Sequence, residues 1–221
     1  MIDLHTHTIL SDGCLLPSEL ARRAEEKGYK VIAFTDHIDF SNVEMVVSSL
    51  VRVCERINRN YKIKTIPGVE ITHINPIDIP VLIQIARNIG AKIIVVHGET
   101  IVEPVFKGTN RKGLESDIDI LGHPGILSEE DAIVAAEKGI HIEISARKGH
   151  CLSNGHIVRL WYEYGFPVIL NTDTHSPDNL IDDDFAKKIL ISAGIKVSDV
   201  NTVLQNSYIL AKEKLDIGFE I

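Results

Sequence analysis

The sequence predicts an α/β fold, a distorted seven-stranded (β/α) barrel of the TIM type that forms a single domain over residues 1–221. Short apolar runs rich in Val and Ile alternate about seven times with helical stretches, which is the pattern of a parallel sheet covered by helices. Side chains of the metal-binding type follow most of these runs. The Gly-x-Gly-x-x-Gly and Gly-x-x-x-x-Gly-Lys-Ser/Thr motifs of open nucleotide-binding sheets are absent, which favours a closed barrel over an open sheet.

The strands are predicted where β-branched and apolar residues run together between turn residues. They cover 2–7, 29–35, 63–71, 91–96, 117–121, 140–145 and 166–170. The helices are predicted from the spacing of apolar residues and from terminal signals, such as Pro17 at a start and Gly28 at an end. They cover 17–28, 43–60, 80–88, 128–139, 156–164, 184–192 and 199–214, and a long loop is expected over 98–113.

The composition is that of an ordinary soluble globular protein, with 44% hydrophobic and 24% charged residues. The sequence has no apolar run of about 18 residues, so no membrane span is expected. Its first residues lack the basic start and apolar run of a secretory signal. The cysteines Cys14, Cys54 and Cys151 are odd in number and far apart, which favours free thiols in a reducing cytoplasm over a disulfide framework.

The formal net charge of −8 argues against broad attraction to nucleic acid or to an anionic membrane. Nucleic-acid-binding domains usually carry a basic excess or a basic stripe, and this sequence shows neither. An acidic chain is still compatible with a small anionic substrate held by a local positive site. We therefore expect a small-molecule partner, no strong nucleic-acid binding and no membrane.

The opening run contains the first candidate for a metal site, His5-Thr6-His7. Residues i and i+2 of a strand point to the same face of the sheet. The two imidazoles are therefore predicted to point at one spot, where a single cation would sit. Alone, such a pair is a weak signal, since two histidines can meet by chance near a terminus.

Ligand-type side chains stand at the carboxyl ends of six of the seven predicted strands, and the sixth strand is the exception. Any one of them is more simply explained as a loop or cap residue. Taken together they predict a metal centre, because the active site of such a barrel lies at this end. The candidates are His5, His7, Asp12, His37, Glu70, His97, His123, Asp173 and His175.

The number and type of these candidates indicate several ions. A catalytic zinc ion usually has three protein ligands, so nine donors would serve about three ions. Mixed nitrogen and oxygen donors suit zinc, manganese or iron. Such a cluster would stay positive beside Asp12, Glu70 and Asp173, would clamp phosphate oxygens and would lower the pKa of a bridging water. This chemistry favours phosphoester hydrolysis.

Six short motifs together resemble the PHP family, named for polymerases and histidinol phosphatases. They are His5-Thr6-His7 with Asp12, Thr35-Asp36-His37, Gly68-Val69-Glu70, Val96-His97-Gly98, Gly122-His123-Pro124 and Asn171-Thr172-Asp173-Thr174-His175. The resemblance implies a distorted seven-stranded barrel with a trinuclear metal site. By matching motif positions, the first ion would be held by His5, His7, Glu70 and Asp173, the second by Glu70, His97 and His123, and the third by Asp12, His37 and His175. Some members have His at the position of Asp12.

The resemblance also implies an activity. Because no polymerase part accompanies the motifs, we expect a stand-alone phosphoesterase that acts on a small phosphate ester through a metal-bridging hydroxide. Sugar, amino-alcohol and nucleotide phosphates are all compatible substrates. Two alternatives remain open. One is an amidohydrolase-type enzyme acting on C–N bonds, in which a carbamylated lysine often bridges the metals, where this sequence has Glu70. The other is a non-catalytic metal-binding module.

Several further residues are candidates for substrate binding. Arg147, Lys148 and His150 follow the sixth strand and are expected either to bind the phosphoryl group or to form a solvated basic loop. Arg147 is the best candidate for a catalytic role, because its planar guanidinium suits phosphate. Arg111, beside Lys112 in the expected long loop, is a weaker candidate.

The remaining polar residues near the motifs are expected to play no direct part. Asp36 is predicted to orient a neighbouring ligand. His73, His141 and His156 are expected not to bind metal, and His141 begins a strand, which places it at the opposite end of the barrel.

Overall fold

The computed structural model describes residues 1–215 and confirms the predicted α/β barrel. All its strand pairs are parallel, and seven strands follow one another around a nearly closed barrel in the order β1-β2-β4-β5-β6-β7-β8. The short strand β3 also pairs with β4. The strands are β1 Ile2–Asp3, β2 Val31–Phe34, β3 His37–Ile38, β4 Lys64–Ile71, β5 Ile93–His97, β6 Ile120–Gly122, β7 His141–Ser145 and β8 Val168–Asn171.

The barrel is closed between β1 and β8 mainly by single hydrogen bonds. The strand ladder predicted for 2–7 ends at Asp3, and beyond it Thr6 forms an isolated parallel bridge with Thr174. The Leu4 N–H donates to Asn171 Oδ1 at 2.9 Å, and the His7 N–H donates to the Thr174 carbonyl at 2.8 Å. The first and last strand ends, which carry several candidate ligands, therefore lie side by side.

The strand predicted over 29–35 is interrupted in the structure. β2 ends at Phe34, and after a gap of two residues β3 resumes the parallel pairing with β4. At the break Asp36 turns inward and accepts a hydrogen bond from the Thr8 N–H at 2.8 Å. The break places His37 in register with Glu70 on β4.

Helices cover the outside of the barrel, as predicted, with small shifts of their ends. They are α1 Pro17–Glu26, α2 Val43–Asn60, α3 Ile79–Ile89, α4 Thr109–Glu115, α5 Glu129–Lys138, α6 Asn154–Tyr164, α7 Asp183–Ser192 and α8 Val200–Leu215. Short 3₁₀ turns lie at Pro76–Asp78, His150–Ser153, Pro177–Asn179 and Val197–Asp199. The ends follow local signals: the Ser128 side chain accepts from the Asp131 N–H at the start of α5, and Gly139 ends that helix at a φ of 67°.

The expectation of a continuous loop over 98–113 is wrong, because α4 begins at Thr109. This helix has only seven residues and contains Gly113, so its apolar spacing is too short to detect. Gly113 lets the helix approach β5, since a Cβ at that position would lie 3.2 Å from Val96 Cγ1. The strand predicted from residue 117 also begins later, at Ile120.

Two apolar cores hold the barrel together. The larger core lies between the strands and the surrounding helices. The smaller core fills the barrel and includes Leu4, Ile66 and Val95, and Leu210 and Leu215 of α8 pack against it. The last described helix thus packs against the interior, and the polar pocket lies at the carboxyl end of the strands. Within residues 1–215, no helix is both long enough and apolar enough to cross a membrane.

Candidate metal centre

All nine predicted ligands lie at the carboxyl end of the barrel. A pocket of about 260 Å³ opens there. Its lining includes both candidate ligands and residues for which no ligand role was expected: Asp12, His37, Thr72, His73, His97, Glu103, His123, Arg147, His150, Asp173 and His175. His5, His7 and Glu70 lie beneath this lining and are buried.

Glu70 occupies the centre of the cluster. Its Oε2 lies 3.3 Å from His5 Nε2 and 3.5 Å from His7 Nε2, and its Oε1 lies 3.3 Å from His123 Nε2. One carboxylate thus faces imidazoles that follow the first strand, β1, and an interior strand, β6. This is the position that a carboxylate bridging two ions would occupy. The predicted common face of His5 and His7 is also confirmed, since both Nε2 atoms face the same oxygen.

Asp173 contacts the same two imidazoles as Glu70. Its Oδ1 lies 3.1 Å from His7 Nε2 and 3.8 Å from His5 Nε2. Its backbone has a φ of 52°, in the left-handed region that non-glycine residues seldom adopt. This conformation turns the carboxylate back into the barrel directly after β8.

A second part of the cluster is closer to solvent. Asp12 Oδ1 lies 3.0 Å from His175 Nε2 and 3.5 Å from His37 Nε2. Donor atoms of these three residues and of His7 all lie within 4.8 Å of one another. The Asp12 side chain is 56% exposed, in contrast to the buried carboxylates of Glu70 and Asp173.

His97 and His123 complete the cluster on the other side of Glu70. Donor atoms of these three residues also lie within 4.8 Å of one another. His97 Nδ1 donates to the Gly98 carbonyl at 3.1 Å. This hydrogen bond leaves Nε2 as the ring nitrogen that could bind a cation, and Nε2 contacts the Glu103 carboxylate at 3.0 Å.

Unpartnered polar atoms mark the centre of the cluster. Buried donors and acceptors in folded proteins are nearly always hydrogen-bonded. Among the described residues, His5 Nε2, both ring nitrogens of His7 and Asp173 Oδ1 are buried without such a bond. The Glu70 carboxylate also lacks a well-aligned hydrogen bond, although His37 Nδ1 lies 2.8 Å from its Oε2. The Nε2 atoms of His5 and His7 lie 3.1–3.8 Å from carboxylate oxygens of Glu70 and Asp173, which are ligand-to-ligand distances. The donor set therefore fits divalent transition-metal ions.

Burial and neighbouring charge shift the pKa values of these groups in opposite directions. Burial, together with the nearby His37, holds the pKa of His7 well below its usual range, so His7 is neutral, the form that binds metal. Burial raises the pKa of Asp173. Burial would also raise the pKa of Glu70, but the imidazoles of His5 and His37 outweigh it and hold the pKa well below its usual range.

Comparison with known families matches this arrangement. The family model described as the PHP domain matches residues 3–182, which is most of the chain. The chain belongs to the PHP family. An uncharacterized protein of Methanocaldococcus jannaschii is 44% identical over 204 residues, covering 91% of this chain and 94% of that protein. A Clostridium acetobutylicum protein named "Probable phosphatase" is 29% identical over 250 residues, covering 97% and 96% respectively.

Solved structures share the fold of this PHP domain. A chain in the cryo-EM structure of archaeal ribonuclease P with mature tRNA superimposes with a TM-score of 0.75 at 16% identity, covering 100% of this chain and 97% of that one. Histidinol phosphate phosphatase from Lactococcus lactis, in complex with zinc, L-histidinol and phosphate, gives a TM-score of 0.61 at 17% identity, covering 88% and 94%. At these identities the similarity concerns the fold.

The sixth barrel strand of this PHP domain, β7, contributes a carboxylate that the sequence analysis missed. Glu143 is buried, and its Oε2 lies 2.6 Å from His5 Nδ1. The same oxygen accepts from Asn171 Nδ2 at 3.0 Å. Glu143 thus fixes the ring of His5 from behind and leaves Nε2 facing Glu70. The available signal was a charged residue between the two isoleucines of the strand His-Ile-Glu-Ile-Ser.

Asp36 positions a loop rather than the ring of a ligand. Both of its carboxylate oxygens accept from Thr8 Oγ1, and Oδ1 also accepts from Ser11 Oγ at 2.8 Å. These bonds fix the turn that carries Asp12. Asp36 therefore supports Asp12 indirectly, through its hydrogen bonds to Thr8 and Ser11 of the same loop.

The four predicted substrate-binding residues are separated in the structure. Arg147 lies in the pocket, with Nε 3.5 Å from Asp173 Oδ2, and its Nη1 donates to the Asp173 carbonyl at 3.0 Å and contacts His175 Nδ1. His150 also lines the pocket, with Nε2 3.7 Å from Asp173 Oδ2. Lys148 is exposed on the intervening loop. Arg111 lies on α4, where its Nε pairs with Asp131 Oδ1 at 2.6 Å.

Three histidines were expected to have no ligand role, and two of them lie away from the centre. His156 Nε2 donates to the Leu127 carbonyl at 2.7 Å, and His141 pairs with Ile120 at the start of β7. The third, His73, lies at the pocket, and its ring centroid is 4.8 Å from that of His97.

Glu103 is the second carboxylate that the sequence analysis missed. It lies between β5 and α4, and its Oε2 is 3.2 Å from His73 Nε2 and 3.0 Å from His97 Nε2. Hydrogen bonding to His97 holds the pKa of Glu103 below its usual range. The loop expected over 98–113 therefore reaches the pocket through a carboxylate rather than through Arg111.

Proposed function

We propose that this PHP domain is a metal-dependent phosphoesterase that hydrolyses a small phosphate monoester. The observation that carries the proposal is the convergence of nine imidazole and carboxylate ligands around buried donor atoms that have no hydrogen-bond partner among the described residues. Leaving such atoms unpaired costs about 1–3 kcal/mol each, so bound cations are the simplest explanation of their placement.

The grouping of donor atoms supports three ion positions. His5, His7, Glu70 and Asp173 would hold the first ion, Glu70, His97 and His123 the second, and Asp12, His37 and His175 the third. Zinc, manganese and iron all suit this mixture of imidazole and carboxylate. Bound there, divalent ions would lower the pKa of a water molecule and neutralise phosphate oxygens, which is the chemistry that phosphoester hydrolysis needs.

Arg147 is the proposed phosphate-binding residue. Its guanidinium lies at the edge of the cluster and is held by the carbonyl and the carboxylate of Asp173. With this fixed orientation it can donate to the phosphoryl oxygens of a substrate and stabilise charge in the transition state. His150 lies on the same side of the pocket and offers a neutral imidazole, because burial lowers its pKa to about 3.

The pocket favours phosphate chemistry over C–N bond hydrolysis. Among the described residues that line it, a lysine that carbon dioxide could convert to a bridging carbamate is absent. Glu70 lies between the imidazoles of His5 and His123, where a carboxylate bridging two ions would lie. The volume of about 260 Å³ suits a phosphoryl group with part of a small alcohol. Relatives point the same way, since one carries the name phosphatase and a structural neighbour holds phosphate.

A substrate panel on metal-loaded protein tests the proposal. The chain would be loaded separately with zinc, manganese and iron and assayed with p-nitrophenyl phosphate, bis-p-nitrophenyl phosphate, a p-nitroanilide and a short oligoribonucleotide. We expect turnover of the monoester that is lost on chelation and restored by the metal. Turnover of the anilide alone would support the amidohydrolase alternative, and metal binding without any turnover would support a non-catalytic module.

A further inference from the structure

The candidate metal centre contains two sets of three donors that share His97. The inner triad is Glu70, His97 and His123, and all three side chains are buried. The outer triad is His73, His97 and Glu103, and its donor atoms also lie within 4.8 Å of one another. The side chains of His73 and Glu103 are each 36% exposed. The outer triad therefore stands between solvent and the inner triad.

The two triads cannot bind separate ions at the same time. His97 Nδ1 is engaged with the Gly98 carbonyl, so only Nε2 is available as a ligand. A nitrogen lone pair binds one ion. The outer and inner triads are therefore alternative positions for one ion, joined through His97.

Distances within the outer triad match those between ligands of one ion. Two donors on one tetrahedral zinc ion lie about 3.3 Å apart, given metal–ligand bonds of about 2.0–2.1 Å. Glu103 Oε2 lies 3.0 Å from His97 Nε2 and 3.2 Å from His73 Nε2. The outer triad thus offers two imidazoles and one carboxylate, a common ligand set for zinc.

Both outer residues are held in place by their surroundings. Glu103 lies in a loop tied at its base, because Glu99 Oε1 accepts from the N–H groups of Gly108 and Asn110 at 3.0 Å each. The other carboxylate oxygen of Glu103, Oε1, lies 3.5 Å from His150 Nε2. These contacts keep its carboxylate over the pocket.

The backbone of His73 has a φ of 55°, in the left-handed region. Among the non-glycine residues described, only His123 and Asp173 share a positive φ, and both are proposed ligands. The chain thus adopts this uncommon conformation at three positions around one pocket. At residue 73 the conformation directs the imidazole toward Glu103.

We propose that His73, His97 and Glu103 form a loading site for divalent metal ions, at which an incoming ion binds before it passes to the inner triad. This inference rests on the metal centre of the proposed function. At this partly exposed site, the ion gains protein ligands as it loses its water ligands. Because His97 belongs to both triads, the ion can then move to the inner triad without dissociating fully from the protein. The same site serves ions that leave.

Zinc uptake by the metal-free chain tests the loading site. The rates of zinc uptake from a fluorescent indicator and of zinc release to excess chelator would be measured by stopped flow for the wild type, Glu103→Gln and His73→Asn. Asparagine tolerates the left-handed backbone at residue 73 but is too short to reach the ion. We expect both rates to fall about tenfold in each variant, with the final zinc content and affinity unchanged.

Three outcomes would overturn the loading site. Unchanged rates in His73→Asn would show that the charge of Glu103 alone attracts the ion. A lower final zinc content in either variant would make that residue a ligand of the resident ions. Glu137, an exposed acidic residue on α5, provides the control variant Glu137→Gln. Slower zinc uptake in this control would indicate that the whole acidic surface attracts the ion. A wild-type chain that retains no zinc contradicts the proposed function itself, which separates the two failures.

Discussion

Glu143 and His5 form a buried pair at the base of the candidate metal centre, with Glu143 Oε2 2.6 Å from His5 Nδ1. A carboxylate in this position selects the tautomer of the histidine and orients its free nitrogen toward the ion. Asn171 donates to the same oxygen and also accepts from the Leu4 N–H. One hydrogen-bonded chain therefore connects the first and last barrel strands to the orientation of a ligand.

The first prediction concerns the charge of Glu143. In Glu143→Gln the side-chain oxygen can still accept from His5 and Asn171, so we expect the protein to fold and its zinc affinity to fall about tenfold. In Glu143→Ala the ring of His5 loses its support, and a loss of about 100-fold is expected. Competition with a chelator of known affinity measures both values. Equal affinity in the wild type and the alanine variant would show that Glu143 does not position His5.

The second prediction concerns two central ligands. We expect His7→Ala and Asp173→Ala to remain folded without metal, because each substitution removes buried atoms that lack hydrogen-bond partners among the described residues. Zinc at about 100 times its dissociation constant should stabilise the wild type by about 2.7 kcal/mol. Thermal unfolding with and without zinc should show this gain in the wild type and its loss in both variants. Variants that keep full metal content and activity would contradict the ligand assignment.

The third prediction concerns Arg147. If its guanidinium binds the phosphoryl group, Arg147→Met should lower kcat/KM for a phosphate monoester about 100-fold while the metal content stays near that of the wild type. Arg147→Lys should recover only part of this loss, because an ammonium group cannot donate two parallel hydrogen bonds. The measurement pairs steady-state kinetics with elemental analysis. A loss of metal from the methionine variant would assign Arg147 to the support of Asp173 and His175 instead.

The grouping of the nine candidate ligands at one end of the barrel was largely predictable from the sequence because these residues are regularly placed. Alternation along the chain that continues beyond β1 through the Thr6–Thr174 bridge gives His5 and His7 a common face, and the parallel barrel brings the carboxyl ends of its strands to one side. These two rules require no knowledge of loop conformation. They were sufficient to bring together residues as distant in the sequence as His5 and Asp173.

The missed residues depend on tertiary structure. Glu143 points into the barrel from the middle of β7. Its role depends on contact with His5, which lies on the other side of the closure between β1 and β8. Glu103 reaches the pocket because Glu99 fixes the base of its loop, an arrangement that has no local sequence pattern. Arg111 was considered for substrate binding because it follows the fourth predicted strand in the sequence. In the structure its side chain pairs instead with Asp131, which links α4 to α5.

The fourth prediction uses a histidine at the opposite end of the barrel from the candidate metal centre. Burial lowers the pKa of His141 below its usual value. The unfolded chain therefore binds a proton at this residue at a higher pH than the folded chain does, and acidification through the usual histidine range favours unfolding. In His141→Gln this contribution is absent. The metal-free variant should lose less free energy of unfolding than the metal-free wild type between about pH 7.5 and pH 5.5. Urea unfolding at several pH values measures the difference, and parallel curves for the two proteins would show that His141 binds protons equally in both states.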